Sequence, residues 1–307
     1  MDEDERKQLV DERQTGIGGS DAGALLGLNP YKTAVDVWRE KKGLAEPVPD
    51  NPRMKAGRIM EGVLADWYQQ ETGEKVYRVN KMLVHNMCPY IIGHLDRRVA
   101  GPKVFEAKLT GRSILRKWKS DGWTMPPWWY AQVQHYIAVS GWQSAVVAYC
   151  LDGSEYEYVP VQPDYTFIDA MLKIEITFWT SNVLTNIPPE PVNADDVLKL
   201  FPRSNADKVV NATAEIAQIV GQLRETEKRI KELEGNAEML RYEVKKFMAD
   251  ADAVEYYGHR MVTWRSAEDS ERFDTKRFRQ EHPDLAAKYI KTSPSSRRFI
   301  LKGEENE

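Results

Sequence analysis

The segment YIIGHLDRRVAGPKVFEAKL, Tyr90 to Leu109, constrains the fold more than any other part of the chain. Two apolar runs flank Ala100-Gly101-Pro102-Lys103, a turn signal short enough to send the chain straight back on itself. With VYRVNKMLVH before it, the region reads as three strands, 76–85, 90–100 and 103–109. Side chains in VFEAKL alternate between faces, so Val104, Glu106 and Lys108 point one way and Phe105, Ala107 and Leu109 the other. A charged face beside an apolar face is ordinary on a half-exposed strand. Asp96 is not ordinary. It ends an apolar strand, where a carboxylate needs a partner, and the turn brings it beside Glu106. Two adjacent carboxylates repel unless a cation sits between them. Together with a peptide carbonyl they make a hard-oxygen site suited to Mg²⁺ or Mn²⁺. Such a metal activates water and polarises a phosphate, and Lys108 can hold the nucleophile or stabilise developing charge.

Around this hairpin the sequence predicts helices and a second hairpin. TGIGGSDAGALLG leads into a short helix with Ser20 or Asp21 as its cap, ended by Asn29-Pro30. Thr33 caps the next helix, which carries Trp38 and stops at Gly43. Residues 54–72 form a helix whose stripe is Ile59, Val63, Trp67 and Met60, terminated by Gly73. Residues 126–140 form a helix entered through prolines. SAVVAYCLDG and EYEYVPV pair around Asp152-Gly153, and 164–182 is helical. IPPEPVNADD reads as linker. Residues 1–14 form a polar helix or arm.

Charge and composition narrow the class. The chain has 307 residues and a net charge of −4. That balance argues against a general nucleic-acid coat protein but allows a local basic groove. From Arg97 to Lys119 eight side chains are basic and Glu106 is the single acid, which reads as a groove facing phosphates or else as a solvated face. Cys88 and Cys150 form no CxxC pair, so a disulfide framework, a zinc site or an iron–sulfur cluster is not expected. The opening MDEDERKQLV is neither signal nor transit peptide, and no apolar run is long enough to span a membrane. A cytoplasmic protein is expected. Gly16–Gly19 is no P-loop, because no GK[ST] follows.

The pattern Asp96-x9-Glu106-Ala107-Lys108 resembles the D…ExK signature of restriction-endonuclease-like nucleases. Gln132-Val-Gln-His-Tyr136 resembles the QxxxY helix of their exonuclease branch, and Glu61 falls where that branch carries a helical glutamate. ERQTGIGGSDAGALLG resembles the N-terminal motif of the YqaJ-type viral recombinases, the family of phage lambda exonuclease. The resemblance covers residues 10–190. It implies an α/β fold, a central mixed sheet flanked by helices. It implies that Asp96 and Glu106 bind metal with the Ala107 carbonyl, that Glu61 supports a second metal position, and that Lys108 positions the water. Gln132 would anchor the site, with Tyr136 packed one helical turn on. Arg13 and Ser20 resemble a pair that receives a 5′-phosphate. An arginine offers phosphate a bidentate fork, and a hydroxyl near a helix N-terminus adds donors. Arg112 and Tyr136 belong to the expected phosphate- and DNA-binding set.

Other residues have two readings. His94, two residues before Asp96, is either a structural histidine or a partner of the metal site. Trp128, Trp129 and Trp142 either belong to the core or stack on unpaired bases. After a linker at 191–204 the composition changes. From Val209 to Phe247 apolar residues recur every three or four positions, a heptad seam. Residues 205–252 are read as one long helix, or as a helical hairpin broken at Gly235-Asn236, serving as an oligomer contact or packing on the core. Residues 253–307 read as a small α+β region, with EYYGHRMVTWR and RRFILK as strands around one short helix. The expected function is a metal-dependent 5′-to-3′ double-strand DNA exonuclease of a phage or prophage recombination system. The resemblance implies a homotrimeric ring and a single-strand annealing partner. The alternatives are a structure-selective endonuclease using the same site, or a non-catalytic module that binds DNA ends.

Overall fold

The computed structural model describes residues 12–46, 49, 51–120, 122, 124–291 and 297–302. The expected arm at 1–11 lies outside them; residues 12–14 are helical. The chain divides into two compact units, Met1–Pro202 and Arg203–Glu307.

The first unit is built on a five-stranded sheet. In spatial order it contains β1 (Val76–Arg78), β4 (Arg97–Val99), β5 (Lys103–Thr110), β6 (Ser144–Leu151) and β7 (Glu155–Val161). β5 and β6 run parallel and the other pairs antiparallel, so the sheet is mixed. The parallel pair requires a crossover, supplied by α4 (Arg112–Ser120) and α5 (Pro127–Ser140). Local sequence signals do not mark α4. The β6–β7 hairpin turns at Asp152 and Gly153 as expected, both with positive φ, within the three residues that separate paired Leu151 and Glu155.

The alternation along VFEAKL sorts its residues onto two buried faces. Val104, with Val147 and Tyr149 of β6, packs against Trp129, Val133 and Ile137 of α5. Phe105, with Val146, Ala148 and Cys150, packs against Leu64, Ala65 and Tyr68 of α3 (Pro52–Thr72). Burying a side chain the size of Val104, Phe105 or Leu64 contributes about 1.5–3 kcal/mol. The stripe expected on α3 is displaced. Ile59 and Val63 are exposed, and the helix buries Leu64, Ala65 and Tyr68 with Met60 and Trp67 half-buried. That rotation turns Glu61 toward the sheet rather than into solvent. Asn51 caps α3 and Gly73, with φ 75°, ends it.

The two strands expected upstream of the turn are interrupted. Residues 76–85 hold only β1 and β2 (Leu83–Val84), and 90–100 hold β3 (Ile92–Gly93) and β4, with β2 and β3 paired apart from the main sheet. Asp96 therefore sits in a bend between β3 and β4. His94 does not share a strand face with it, and its Nε2 lies 2.9 Å from Glu12 Oε2.

α1 (Gly19–Leu25) is capped by Gly18, not by Ser20 or Asp21. Asp21 accepts the Gly18 N–H at 3.1 Å and is then buried. α2 (Ala34–Lys41) is capped by Thr33 as expected. α6 (Tyr165–Phe178) continues into a π-helical turn, Trp179–Val183. The segment read as linker carries α7 (Ala194–Leu200), docked through Asp196, which is buried and accepts Thr33 Oγ1 at 2.8 Å. A polar composition hid this anchor. Trp129 is core, and Trp128 and Trp142 are partly buried against it.

In the second unit α8 (Ala214–Met248) is one continuous helix through Gly235-Asn236, so the helical hairpin is not formed. A single glycine in a helix interior costs only about 1 kcal/mol, too little to break a long helix. A hairpin of β8 (Ala253–Tyr256) and β9 (His259–Thr263) follows, then two short helices, Thr275–Glu281 and Pro283–Ala287, rather than one. RRFILK, residues 297–302, forms no strand.

Candidate active site

The register of the sheet assembles the site. Arg97 pairs with Phe105 at the last position of the β4–β5 ladder. One step further along, Asp96 and Glu106 face each other where β4 ends and that side of β5 is uncovered. The left-handed turn at Gly101, φ 89°, closes the hairpin.

Glu106 is buried at 4% exposure, and one of its oxygens meets two partners. Its Oε1 lies 2.7 Å from Lys108 Nζ and accepts Gln132 Nε2 at 3.0 Å. Lys108 also donates to Gln132 Oε1 at 2.8 Å. The three side chains form a closed triangle between β5 and α5. Gln132 Nε2 also reaches Tyr136 Oη at 3.2 Å, one helical turn on. Burial, reinforced by Glu106 and Asp96, keeps the Tyr136 phenol neutral, well above its usual range.

Asp96 has a different electrostatic fate. Its side chain reaches solvent, but crowding by the surrounding protein, then the charges of Glu106 and Glu61, raise it to about 7. Lys108 and Arg13 oppose that rise. Glu61 is held from α3 by Arg97, whose Nε donates to Oε1 at 2.7 Å. Arg97 opens the basic run in the sequence, and the packing of α3 on the sheet pairs it with Glu61.

A divalent cation fits these residues. Burial and then the charges of Glu106 and Glu61 raise Asp96, and a cation relieves the repulsion among the three carboxylates. The donors are hard oxygens: Asp96 and Glu106, with Glu61 and the Ala107 carbonyl nearby in the chain's fold. Among the described residues no three His, Cys, Asp or Glu side chains converge into a ready-made cage. Mg²⁺ does not need one, since it keeps several waters and takes one or two carboxylates.

Arg13 is exposed, and its positive charge is felt at both Asp96 and Tyr136, which places it beside the cluster. Its carbonyl accepts Lys41 Nζ at 2.7 Å. Lys41 Nζ is in turn 2.6 Å from buried Asp21, which also pairs with Lys32 at 2.8 Å. Ser20 is exposed on α1, next to Gly19. A Cβ on Gly19 would stand 2.5 Å from the Tyr136 ring, so glycine is what lets α1 lean on α5. Asp21 and Lys41 carried no sequence signal beyond the helix start.

Among the described residues, several cations of the basic run meet carboxylates. Lys103 pairs with Glu74, Arg112 with Asp152 and Glu155, and Lys119 with Glu157 at 3.6 Å. Carboxylates distant in sequence meet these cations, so counting charge along the chain overstated the local field. Arg112 is half exposed and its ion pairs lie on the β6–β7 turn, away from the carboxylate cluster.

The mixed sheet with helices on both faces is the fold of a phage-type alkaline exonuclease. An alkaline exonuclease from Laribacter hongkongensis, LHK-Exo, solved alone and in complex with dAMP, superposes with a TM-score of 0.50 at 16% identity, over 59% of this chain and 94% of that one. The YqaJ-like viral recombinase domain matches residues 9–143. A Bacillus subtilis (strain 168) protein described as uncharacterized protein YqaJ is 31% identical over 306 residues, covering 97% of this chain and 94% of that protein. The chain belongs to the YqaJ-like viral recombinase family.

Proposed function

We propose that this chain is a metal-dependent 5′-to-3′ double-strand DNA exonuclease of a phage or prophage recombination system, working in the cytoplasm of a bacterial host. It would leave 3′ single-stranded tails for a single-strand annealing protein. The observation that carries this reading is the triangle of Glu106, Lys108 and Gln132 beside Asp96, whose carboxyl is raised to about 7.

Asp96, Glu106, the Ala107 carbonyl and Glu61 would hold Mg²⁺ or Mn²⁺. When bound, the ion supplies Lewis-acid polarisation of the scissile phosphate and a more acidic water. Lys108, fixed by two acceptors, holds the attacking water in line and faces the negative charge that develops on the phosphoryl oxygens. Gln132 sets the Lys108 and Glu106 rotamers at once. Arg13 and Ser20 receive the 5′-phosphate of the strand being cut, so that cleavage is counted from the end. Arg112 contacts the DNA backbone only after exchanging its carboxylate partners for phosphate. A homotrimeric ring, implied by the resemblance, reconciles DNA binding with a net charge of −4, because only its inner wall needs to be basic.

The test is a strand-resolved digestion. Linear duplex is labelled on each strand, with 5′-phosphate or 5′-hydroxyl ends, beside a covalently closed circle, under Mg²⁺, Mn²⁺ or chelator. The expected result is metal-dependent loss of the 5′-phosphorylated strand, intact circles and no activity in Asp96→Ala. Arg13→Ala should lower the preference for 5′-phosphate about 10- to 100-fold, as for loss of a charged hydrogen bond. Cut circles would make the chain an endonuclease, and cleavage absent under every condition would make it an end-binding module.

A further inference from the structure

We infer that α8 is a self-association element: its apolar seam pairs, parallel and in register, with the same helix of a second copy of this chain.

Three observations on the second unit carry this. First, α8 is unbroken from Ala214 to Met248, so the seam does not fold back onto itself. Second, most of the seam is exposed among the described residues, with Leu223 and Ala237 half-buried. Ile216 and Ile230 at a, and Ile219, Leu233, Leu240 and Phe247 at d, are 49–79% exposed. Heptads sustained over this length are a coiled-coil signature, and a helix does not otherwise leave so regular an apolar row in water.

Third, the flanking charges select both the partner and its direction. With Ile216 and Ile230 at a, the g positions are Glu215, Gln222, Arg229, Asn236 and Glu243, and the e positions are Val220, Glu227, Glu234, Arg241 and Met248. In a parallel pair each g residue meets the e residue five places on in the partner helix. Arg229 then meets Glu234 in both directions, and no like charges meet. In an antiparallel pair of full overlap, e faces e, which sets Glu227 against Glu234 twice. The helix is thus complementary to its own copy in one orientation. This pairing is independent of the nuclease reading and of any ring formed by the first unit.

The test uses the full chain carrying Leu233→Cys, with Glu232→Cys as an outward-facing control, under a mild added oxidant. A parallel in-register pair places residue 233 against residue 233. A covalent dimer at 233, at least tenfold above both the 232 control and the unsubstituted chain, is the expected result. Arg229→Glu, measured by sedimentation with the 233 site unaltered, should weaken association about three- to tenfold, and Arg229→Glu with Glu234→Arg should restore it. Crosslinking at 233 no greater than at 232 would overturn the proposal. So would charge reversal without effect on association and without rescue. Digestion of DNA by the Leu233→Lys chain reports separately on the first unit, so loss of nuclease activity and loss of pairing are distinguishable.

Discussion

Lys108 Nζ donates to Gln132 Oε1 at 2.8 Å, across the gap between β5 and α5. The same glutamine amide donates to Glu106 at 3.0 Å, so one side chain fixes both partners. Gln132→Met removes both bonds with little change of volume. Single-turnover cleavage should slow about 10- to 100-fold, the usual cost of losing a residue that orients a metal ligand. Metal affinity measured by calorimetry should fall with it. A rate equal to the parent's would mean that Lys108 and Glu106 hold their positions unaided.

Asp96 gives a pH signature in metal-free protein. Crowding and the charges of Glu106 and Glu61 lift it to about 7. Its folded pKa then exceeds the unfolded value of about 3.9, so the folded chain binds this proton more tightly. Its contribution to stability is therefore greatest below about pH 4 and is lost as pH rises toward 7. Carboxyl-labelled NMR should show one aspartate titrating near 7, absent in Asp96→Asn. Adding Mg²⁺ should move that titration downward. An aspartate titrating near 4 without metal would contradict the site's geometry.

Asp21 has the opposite sign. Its burial raises the pKa, but Lys41 and Lys32 together outweigh that and hold it well below the ordinary carboxylate range. Its stabilisation is present above about pH 4 and is lost as pH falls below that value. Asp21→Asn leaves two lysines facing a neutral amide, one of them at 4% side-chain exposure. Breaking a buried pair from one side costs about 3–5 kcal/mol. Thermal unfolding at pH 7 should show that loss, with the difference from the parent shrinking in acid. Equal melting temperatures at pH 7 would count against the buried pairing.

Gly19 tests the packing of α1 on α5. Its added Cβ would meet Tyr136 Cε1 at 2.5 Å. Gly19→Ala must displace the ring or the helix, at about 1–3 kcal/mol for overpacking. Because Tyr136 shares Gln132 with Glu106 and Lys108, cleavage should fall alongside stability. Urea unfolding and nuclease rate on the same preparation check both.

The local features of the site were readable because they depend on near neighbours in sequence. A tight turn fixes the hairpin, strand alternation fixes which way Glu106 and Lys108 point, and helical spacing puts Gln132 and Tyr136 on one face. What failed had non-local causes. The α3 stripe was misjudged because Leu64 and Tyr68 are chosen by the face of β5 they meet, not by period alone. The linker concealed a helix because Asp196 is buried through Thr33, far off in the chain.

By itself, then, the sequence determined the α/β class, the carboxylate–lysine hairpin, the glutamine helix and the heptad seam. Each follows from steric and periodic rules acting over a few residues. Only the tertiary structure decided that Arg97 holds Glu61, that Asp21 and two lysines support the Arg13 segment, and that several cations of the basic run meet carboxylates. Those outcomes rest on charges brought together from distant parts of the chain, where burial and Coulomb attraction, rather than spacing, select the partner.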